Sequence, residues 1–143
     1  MTVHKLALER ICPANWLDWD LELLLLGEDS TAAPVVGDLY VADLSPGANE
    51  LVNTGYTRRS ITQTAPTWDG AAFKLTIPTT TWADLTSEGL APQGVRGAAL
   101  YVPVTDDDDS WLVASGTFTQ VDLDGSDFSV TIDAAGALVV TEA

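Results

Sequence analysis

The sequence is short of the residues on which most enzymes and metal sites depend. Its 143 residues include one cysteine, Cys12, and one histidine, His4. A single cysteine cannot close a disulfide within the chain, so the fold does not depend on an oxidising compartment. A catalytic Ser or Cys needs a neighbouring base, and we expect His4, four residues from the N-terminus, to be exposed to solvent. Ser-His and Cys-His enzymes and zinc sites are therefore not predicted.

Basic residues are also scarce. Six Lys and Arg stand against 21 Asp and Glu, which gives a formal net charge of -15. A field of this sign repels nucleic-acid phosphates and anionic membrane surfaces, so neither is expected as a partner. The charge could keep many copies soluble before assembly, complement a basic partner, or collect cations, and composition does not rank these three alternatives.

Long hydrophobic runs are absent as well. No run approaches the roughly 20 apolar residues of a membrane span, and the first ten residues lack the uninterrupted apolar core of a signal peptide. We therefore expect a protein that stays in a cytoplasm until it is assembled. No enzyme is predicted either. Glycoside hydrolysis needs only two suitably spaced carboxylates, and among 21 acids some pair will have that spacing by chance, so such a pair is no evidence for catalysis.

Alternating apolar and polar residues predict β-strands. Residues 73–77 and 128–133 alternate with period two, and after a turn at 134–136 a further strand follows, so the C-terminal part is predicted to be a hairpin. Residues 97–104 and 111–118 flank an acidic loop and predict a second hairpin, whose Pro103 indicates an edge strand or an irregular strand end. Further predicted strands are 16–28, where a strand is preferred to a helix, 38–44 and 56–64.

This pattern predicts an all-β fold with about eight strands. We expect an antiparallel β-sandwich, jelly-roll-like or immunoglobulin-like. The domain would span residues 16–143, and residues 1–15 would form a short N-terminal arm or a short helix.

Two acidic loops are weak candidates for a cation such as calcium, because calcium binds closely spaced carboxylate and carbonyl oxygens. The candidate ligands are Asp106, Asp107, Asp108 and Asp109 in the first loop and Asp122, Asp124 and Asp127 in the second. The second loop lacks the spacing of an EF-hand, and Asp124-Gly125 is also a hairpin turn pair. Solvated turns are the alternative for both loops. No cofactor is predicted.

Tryptophans and arginines supply the candidate partner-binding residues. The five tryptophans are expected in core or assembly packing, with a carbohydrate platform as the alternative, and Trp16 and Trp19 are the candidates for a partner contact. Adjacent residues on a strand face opposite sides, so at most one of Arg58 and Arg59 can face a given partner. That arginine would form either a structural ion pair, for instance with Glu50 or an aspartate, or a bidentate contact with a neighbouring chain.

The order of the sequence blocks resembles that of small structural proteins of tailed bacteriophages. The blocks are W-L-D-W-D-L-E-L-L-L-L, D-L-Y-V-A-D-L, N-E-L-V-N-T-G-Y-T-R-R, G-A-A-L-Y-V, W-L-V-A-S-G-T-F and G-S-D-F-S-V-T-I-D-A-A-G-A-L-V-V-T, within residues 16–141. In that family a Gly-Tyr-x-Arg block follows Asn-Glu and a glycine closes the last hairpin; here these positions are Asn49, Glu50, Gly55, Tyr56, Arg58 and Gly136. Residues 79–94 and the acidic loop 106–109 depart from the pattern.

The resemblance implies a β-rich virion component without enzymatic activity, often trimeric and assembled in the host cytoplasm. The expected role is decoration or stabilisation of the capsid. The alternative is a minor tail or tail-tip protein, possibly a receptor module that binds glycans. The implied partners are further copies of the chain, with a trimer expected, and either the major capsid protein or tail proteins.

Overall fold

The computed structural model describes residues 2–12, 14–27, 37–45, 49–68, 70, 73–74, 76–87, 94–132 and 138–142. The strands in these residues are β1 (Thr2–Val3), β2 (Leu21–Gly27), β3 (Arg59–Ile61), β4 (Thr67–Trp68), β5 (Phe73–Lys74), β6 (Ile77–Trp82), β7 (Gly94–Val102), β8 (Trp111–Asp122), β9 (Phe128–Ile132) and β10 (Leu138–Glu142). One α-helix, α1 (Lys5–Arg10), and two 3-10 turns, Trp16–Asp18 and Val41–Leu44, complete the elements.

All described strand pairs are antiparallel, and they form three sheets. The large sheet has the order β1-β8-β7-β2-β3, the small sheet β10-β9-β6, and β4 pairs with β5. The main core lies between the large and small sheets, since Leu23 and Leu100 of one pack in the same cluster as Trp82, Phe128 and Val130 of the other. The predicted all-β antiparallel β-sandwich is confirmed.

The large sheet is covered on both faces. Leu23 and Leu25 face the main core, whereas Leu24 and Leu26 face a second apolar cluster on the opposite side. The second apolar cluster consists of Leu24, Leu26, Val41, Leu44, Ala99, Tyr101 and Leu112. This double cover explains why residues 23–26 are four consecutive leucines, because a strand buried on both faces needs no alternation.

The N-terminal residues pack against the sandwich. β1 pairs with β8, Ala7 of α1 is buried, and Leu6 and Ile11 pack on the main core. Of the two structures predicted for this region, the short helix is the observed one. His4 is completely buried, so the prediction that it is exposed was wrong. The six-residue helix gains its stability from packing, since isolated helices of this length are marginal.

The predicted hairpins agree with the structure. β7 pairs with β8 and β9 pairs with β10, while residues 134–136, the predicted turn, lie outside the described residues. β9 alternates as expected, with Phe128, Val130 and Ile132 buried. β7 ends at Val102, immediately before Pro103, although β7 lies inside the sheet rather than at its edge.

Four other predicted strands differ from the structure. Residues 38–44 contain a 3-10 turn instead, because the Asp43 carboxylate accepts hydrogen bonds from the amides of Leu39 and Tyr40 and so caps a turn. Only Arg59–Ile61 of residues 56–64 is a strand, and β2 begins at Leu21 rather than at residue 16. Of residues 73–77, Phe73 and Lys74 belong to β5 and Ile77 to β6, and these two strands pair with different partners. No helix in the described part of the chain is long and apolar enough to cross a membrane.

Candidate functional site

The candidate site is a group of charged and phenolic side chains around Arg58 on the large sheet, where Tyr101 belongs to the second apolar cluster and Tyr56 packs against the main core. We call it the Arg58 cluster, and its members are Glu22, Glu50, Tyr56, Arg58, Tyr101 and Asp107. The Arg58 side chain is 26% exposed and that of Glu50 is 15% exposed. A charge so largely withdrawn from water is costly unless it is paired and hydrogen-bonded.

Arg58 binds two carboxylates, each through two hydrogen bonds. Its Nε donates to Glu50 Oε1 at 2.9 Å and its Nη2 donates to Glu50 Oε2 at 2.7 Å. Nη1 donates to Asp107 Oδ1 at 2.5 Å and Nη2 to Asp107 Oδ2 at 2.9 Å. The planar guanidinium suits such fork-like contacts. The predicted structural ion pair of Arg58 with Glu50 or an aspartate is thus confirmed, and both kinds of partner are present at once.

Two tyrosines complete the cluster. Tyr56 donates its hydroxyl to Glu50 Oε1 at 2.7 Å and accepts the Leu25 amide at 3.1 Å. Tyr101 donates to Glu22, and its ring lies 5.4 Å from the centre of the Arg58 guanidinium. Such a ring contact stabilises the cation.

Burial and charge together shift the pKa values of these groups. Burial, and then the hydrogen bond to Glu50, raises the pKa of Tyr56 far above its ordinary value, and burial with the bond to Glu22 does the same to the pKa of Tyr101. The hydrogen bonds from Arg58 lower the pKa of Asp107. Hydrogen bonds to Glu50 and Asp107 raise the pKa of Arg58 further. At neutral pH both tyrosines and Arg58 therefore keep their protons, and Asp107 is ionised.

Short-range backbone features place the Gly-Tyr-x-Arg block at this site. Gly55 has φ +87°, a value that side chains disfavour, and the Tyr56 amide donates to the Asn53 carbonyl at 3.0 Å to close the turn. The Leu51 amide donates to Leu25 of β2, and Asn53 donates through its side chain to Thr86. These bonds fix the segment on the sheet, so the block builds a rigid loop.

The remaining predicted partner-binding residues lie elsewhere. Arg59 is exposed in the edge strand β3 opposite Leu23, which belongs to the main core, so Arg58 and Arg59 are on different faces as predicted. Trp16 is buried at 1% exposure and donates through Nε1 to the Thr64 carbonyl at 2.9 Å. It is a core residue, with no ring surface on which a partner could dock.

Trp19 is partly buried. Its ring meets the Trp111 ring edge to face at a centroid distance of 5.1 Å, and the Arg10 guanidinium lies 5.3 Å from the Trp111 ring centre. Its Nε1 is buried without a hydrogen-bond partner among the described residues. Trp82 and Trp111 are buried, whereas Trp68 is 58% exposed. Trp68 is therefore the most exposed of the five tryptophans.

The first acidic loop, residues 106–109, is an ordered turn. Asp109 Oδ1 accepts the amides of Thr105 at 2.8 Å and Asp106 at 3.0 Å, and these bonds lower the pKa of Asp109. Asp106 Oδ1 accepts the Asp108 amide at 2.9 Å, and Asp107 binds Arg58. Three of its four carboxylates thus have structural hydrogen bonds.

The second acidic loop uses its carboxylates in the same way. Asp124 Oδ1 accepts the Ser126 amide at 2.8 Å, Asp127 Oδ1 accepts the Asp84 amide at 3.3 Å, and Asp122 accepts the Gln120 side chain at 2.7 Å. Within the described ranges, no three His, Cys, Asp or Glu side chains converge in a way that could hold a metal ion. In both loops these carboxylates accept hydrogen bonds from nearby amide groups.

One buried polar pair was missed by the sequence analysis. His4 Nδ1 lies 2.8 Å from the Asp38 carbonyl and Nε2 lies 2.6 Å from the Ser115 hydroxyl. A carbonyl only accepts, so Nδ1 carries a proton and donates, while Nε2 forms the second hydrogen bond with the Ser115 hydroxyl. His4 is 0% and Ser115 2% exposed, so no substrate can reach this pair. The helical spacing of Leu6, Ala7 and Ile11 was the signal that this region packs on the body.

Comparison of the chain with protein-family models, with curated proteins and with solved structures finds no match in any of the three.

Proposed function

We propose that this protein is a non-enzymatic structural component of a tailed-phage virion that decorates or stabilises the capsid surface. The observation that carries the proposal is the Arg58 cluster. Arg58 belongs to the block on which the resemblance rests, and its guanidinium is bound by Glu50 and Asp107 of its own chain. A block that is used to hold its own fold together supports a structural role better than a catalytic one.

The charge and the partners fit this proposal. A net charge of -15 keeps free copies apart and soluble before assembly. In the virion the partners are further copies of the chain, as a trimer, and the major capsid protein. Weak single contacts suffice there, because symmetry-related copies multiply the effective concentration.

A tail location is the second candidate, and the exposed Trp68 is the observation that favours it. A stacking ring on the surface is what a tail-tip module needs to hold a sugar. One ring at 58% exposure gives less support than two parallel rings would, so the capsid role stands first.

Sedimentation with isolated virion parts tests the proposal. The mass of the purified protein is first measured by light scattering, with and without calcium, and the protein is then mixed with cognate capsids and, separately, with tails. We expect a trimer that sediments with capsids at a fixed stoichiometry. Binding to tails alone would move the assignment to the tail. The protein could instead bind neither capsids nor tails but be retained on a glycan column. If Trp68→Ala then abolished that retention, a glycan-binding module would replace the structural assignment.

A further inference from the structure

Two segments distant in sequence form one unit beside the second apolar cluster. Residues 39–45 contribute Val41 and Leu44, which pack onto Leu24, Leu26 and the other sheet members of that cluster. Residues 105–110, the loop between β7 and β8, bind the first segment directly. We call residues 39–45 and 105–110 together the lid.

Backbone hydrogen bonds join the two halves of the lid. The Val41 amide donates to the Ser110 carbonyl at 2.8 Å, and the Ala42 amide donates to the Asp107 carbonyl at 2.9 Å. Each half is also closed internally, since the Asp43 carboxylate caps the 3-10 turn and the Asp109 carboxylate accepts two amides of its own loop. These contacts favour movement of the two halves together.

The lid meets the sheet through apolar packing and a small number of polar contacts. One of these is a backbone bond from the Leu112 amide to the Leu39 carbonyl at 2.9 Å. Another is the ion pair between Asp107 of the lid and Arg58. Arg58 belongs to the sheet and not to the lid. Its guanidinium also binds the Glu50 carboxylate, and the Glu50 backbone forms a β-bridge with Leu26 of β2.

We propose that the lid is a separately opening unit over the second apolar cluster, and that the ion pair between Arg58 and Asp107 is the latch that keeps it closed. Opening breaks the contact of Asp107 with Arg58 but leaves the Arg58 contact with Glu50 in place. It uncovers apolar surface of β2, β7 and β8, including Leu24, Ala99 and Leu112. Opening also withdraws Tyr40 from the edge of the main core, while the contacts between the large and small sheets stay in place.

Acid is a second route to the open state. The hydrogen bonds from Arg58 hold the pKa of Asp107 below its ordinary value, so this carboxylate is neutralised at a lower pH than an ordinary aspartate. The other titratable groups around the latch are Glu50, Tyr56, Glu22 and Tyr101 on the sheet side and Asp106, Asp108, Asp109 and Asp43 in the lid. Among them, Asp109 has a lowered pKa because it accepts the amides of Asp106 and Thr105, and when acid neutralises it the loop loses that cap.

Hydrogen exchange followed by mass spectrometry on Asp107→Asn tests the latch. At neutral pH we expect amides in 39–45 and 105–112 to exchange about tenfold faster or more than in wild type, as loss of a charge-assisted hydrogen bond implies. Amides of β9 should exchange at the wild-type rate. Binding of the dye ANS should rise, because apolar surface is exposed for part of the time.

Asp108→Asn is the matched control, since Asp108 lies in the same loop with an exposed side chain. It should exchange like wild type. Equal rates in the two variants, or equal acceleration in the lid and in β9, would overturn the proposal. If Asp107→Asn does not fold, wild type is followed from about pH 7 to about pH 2, well below the ordinary pKa of an aspartate. As the pH falls, amide exchange in the lid must then accelerate before the sheets lose their far-ultraviolet circular dichroism signal. If both changes occur at the same pH, the proposed separate opening of the lid is refuted.

Discussion

Arg58 and Asp107 are 49 positions apart in the sequence, yet two hydrogen bonds of 2.5 and 2.9 Å join the guanidinium to the carboxylate. This pair connects the Gly-Tyr-x-Arg block to the loop between β7 and β8. Glu50 occupies the other edge of the same guanidinium. Arg58 therefore has a structural role that a local reading of either segment does not show.

Removing the guanidinium should destabilise the fold. Arg58→Gln leaves Glu50 and Asp107 as neighbouring uncompensated carboxylates, which we expect to cost about 2 kcal/mol of unfolding free energy, less than for a fully buried pair because the site is partly solvated. Urea unfolding followed by tryptophan fluorescence measures the change. Arg59→Gln, on the exposed edge strand, should stay within about 0.5 kcal/mol of wild type. Equal losses in both variants would contradict the structural role of Arg58.

The lowered pKa of Asp107 makes stability depend on pH. In the unfolded chain an aspartate titrates near about 3.9, and in the fold Arg58 holds the pKa of Asp107 below that value. The stability contributed by the ionised form is thus fully present above the unfolded pKa and is lost as pH falls through the folded pKa. The difference in unfolding free energy between wild type and Asp107→Asn should be large at pH 7 and shrink below about pH 4. A difference that stays constant with pH would refute this linkage.

The buried His4 should be essential for docking of the N-terminal residues. His4→Ala removes a fully buried ring and leaves the Asp38 carbonyl and the Ser115 hydroxyl without that partner, which we expect to cost about 3 kcal/mol. Lys5→Ala is the control, because the adjacent Lys5 pairs with Glu9 at 3.8 Å with both side chains more than half exposed. That variant should change stability by less than about 0.5 kcal/mol. Denaturant unfolding of both variants measures the change in unfolding free energy. If His4→Ala were as stable as wild type, the expectation of an exposed His4 would be restored.

Tryptophan fluorescence should identify Trp68 as the accessible ring. Trp68 is 58% exposed, whereas Trp16, Trp82 and Trp111 are at most 2% exposed. Acrylamide should quench part of the wild-type emission efficiently, and Trp68→Phe should remove most of that quenchable part. Trp82→Phe should lower the total emission but leave the quenchable part unchanged. Strong quenching that survives Trp68→Phe would show that a second ring is open to solvent.

Gly97 should not tolerate a side chain. A Cβ at this position in β7 would lie 2.9 Å from the Gly116 carbonyl oxygen of β8 and 3.3 Å from Leu26 Cδ1. The backbone oxygen cannot move without disturbing the sheet, so Gly97→Ala should cost about 1–3 kcal/mol. Gly37→Ala, where a Cβ meets nothing within 4 Å, is the matched control and should change stability by less than about 0.5 kcal/mol. Thermal unfolding of the two variants measures the contrast.

Part of the fold could be predicted because its signal is local. The alternation in β9 places Phe128, Val130 and Ile132 on one face, and period two has no other simple explanation. The hairpin of β7 and β8 follows from two apolar runs around a polar turn. The strand predicted at residues 38–44 was wrong, because the Asp43 carboxylate caps a 3-10 turn there.

By itself the sequence determined the fold class, the two hairpins and the presence of a polar block around Arg58, since strand period and turn chemistry act over a few residues. Only the tertiary structure decided that Leu23 to Leu26 are buried on both faces of one strand, that His4 lies inside the sandwich, and that Arg58 joins Glu50 to Asp107. The reason is physical. A buried charge or imidazole is stable only where distant segments supply its hydrogen-bond partners, and which segments meet is set by the packing of the sheets.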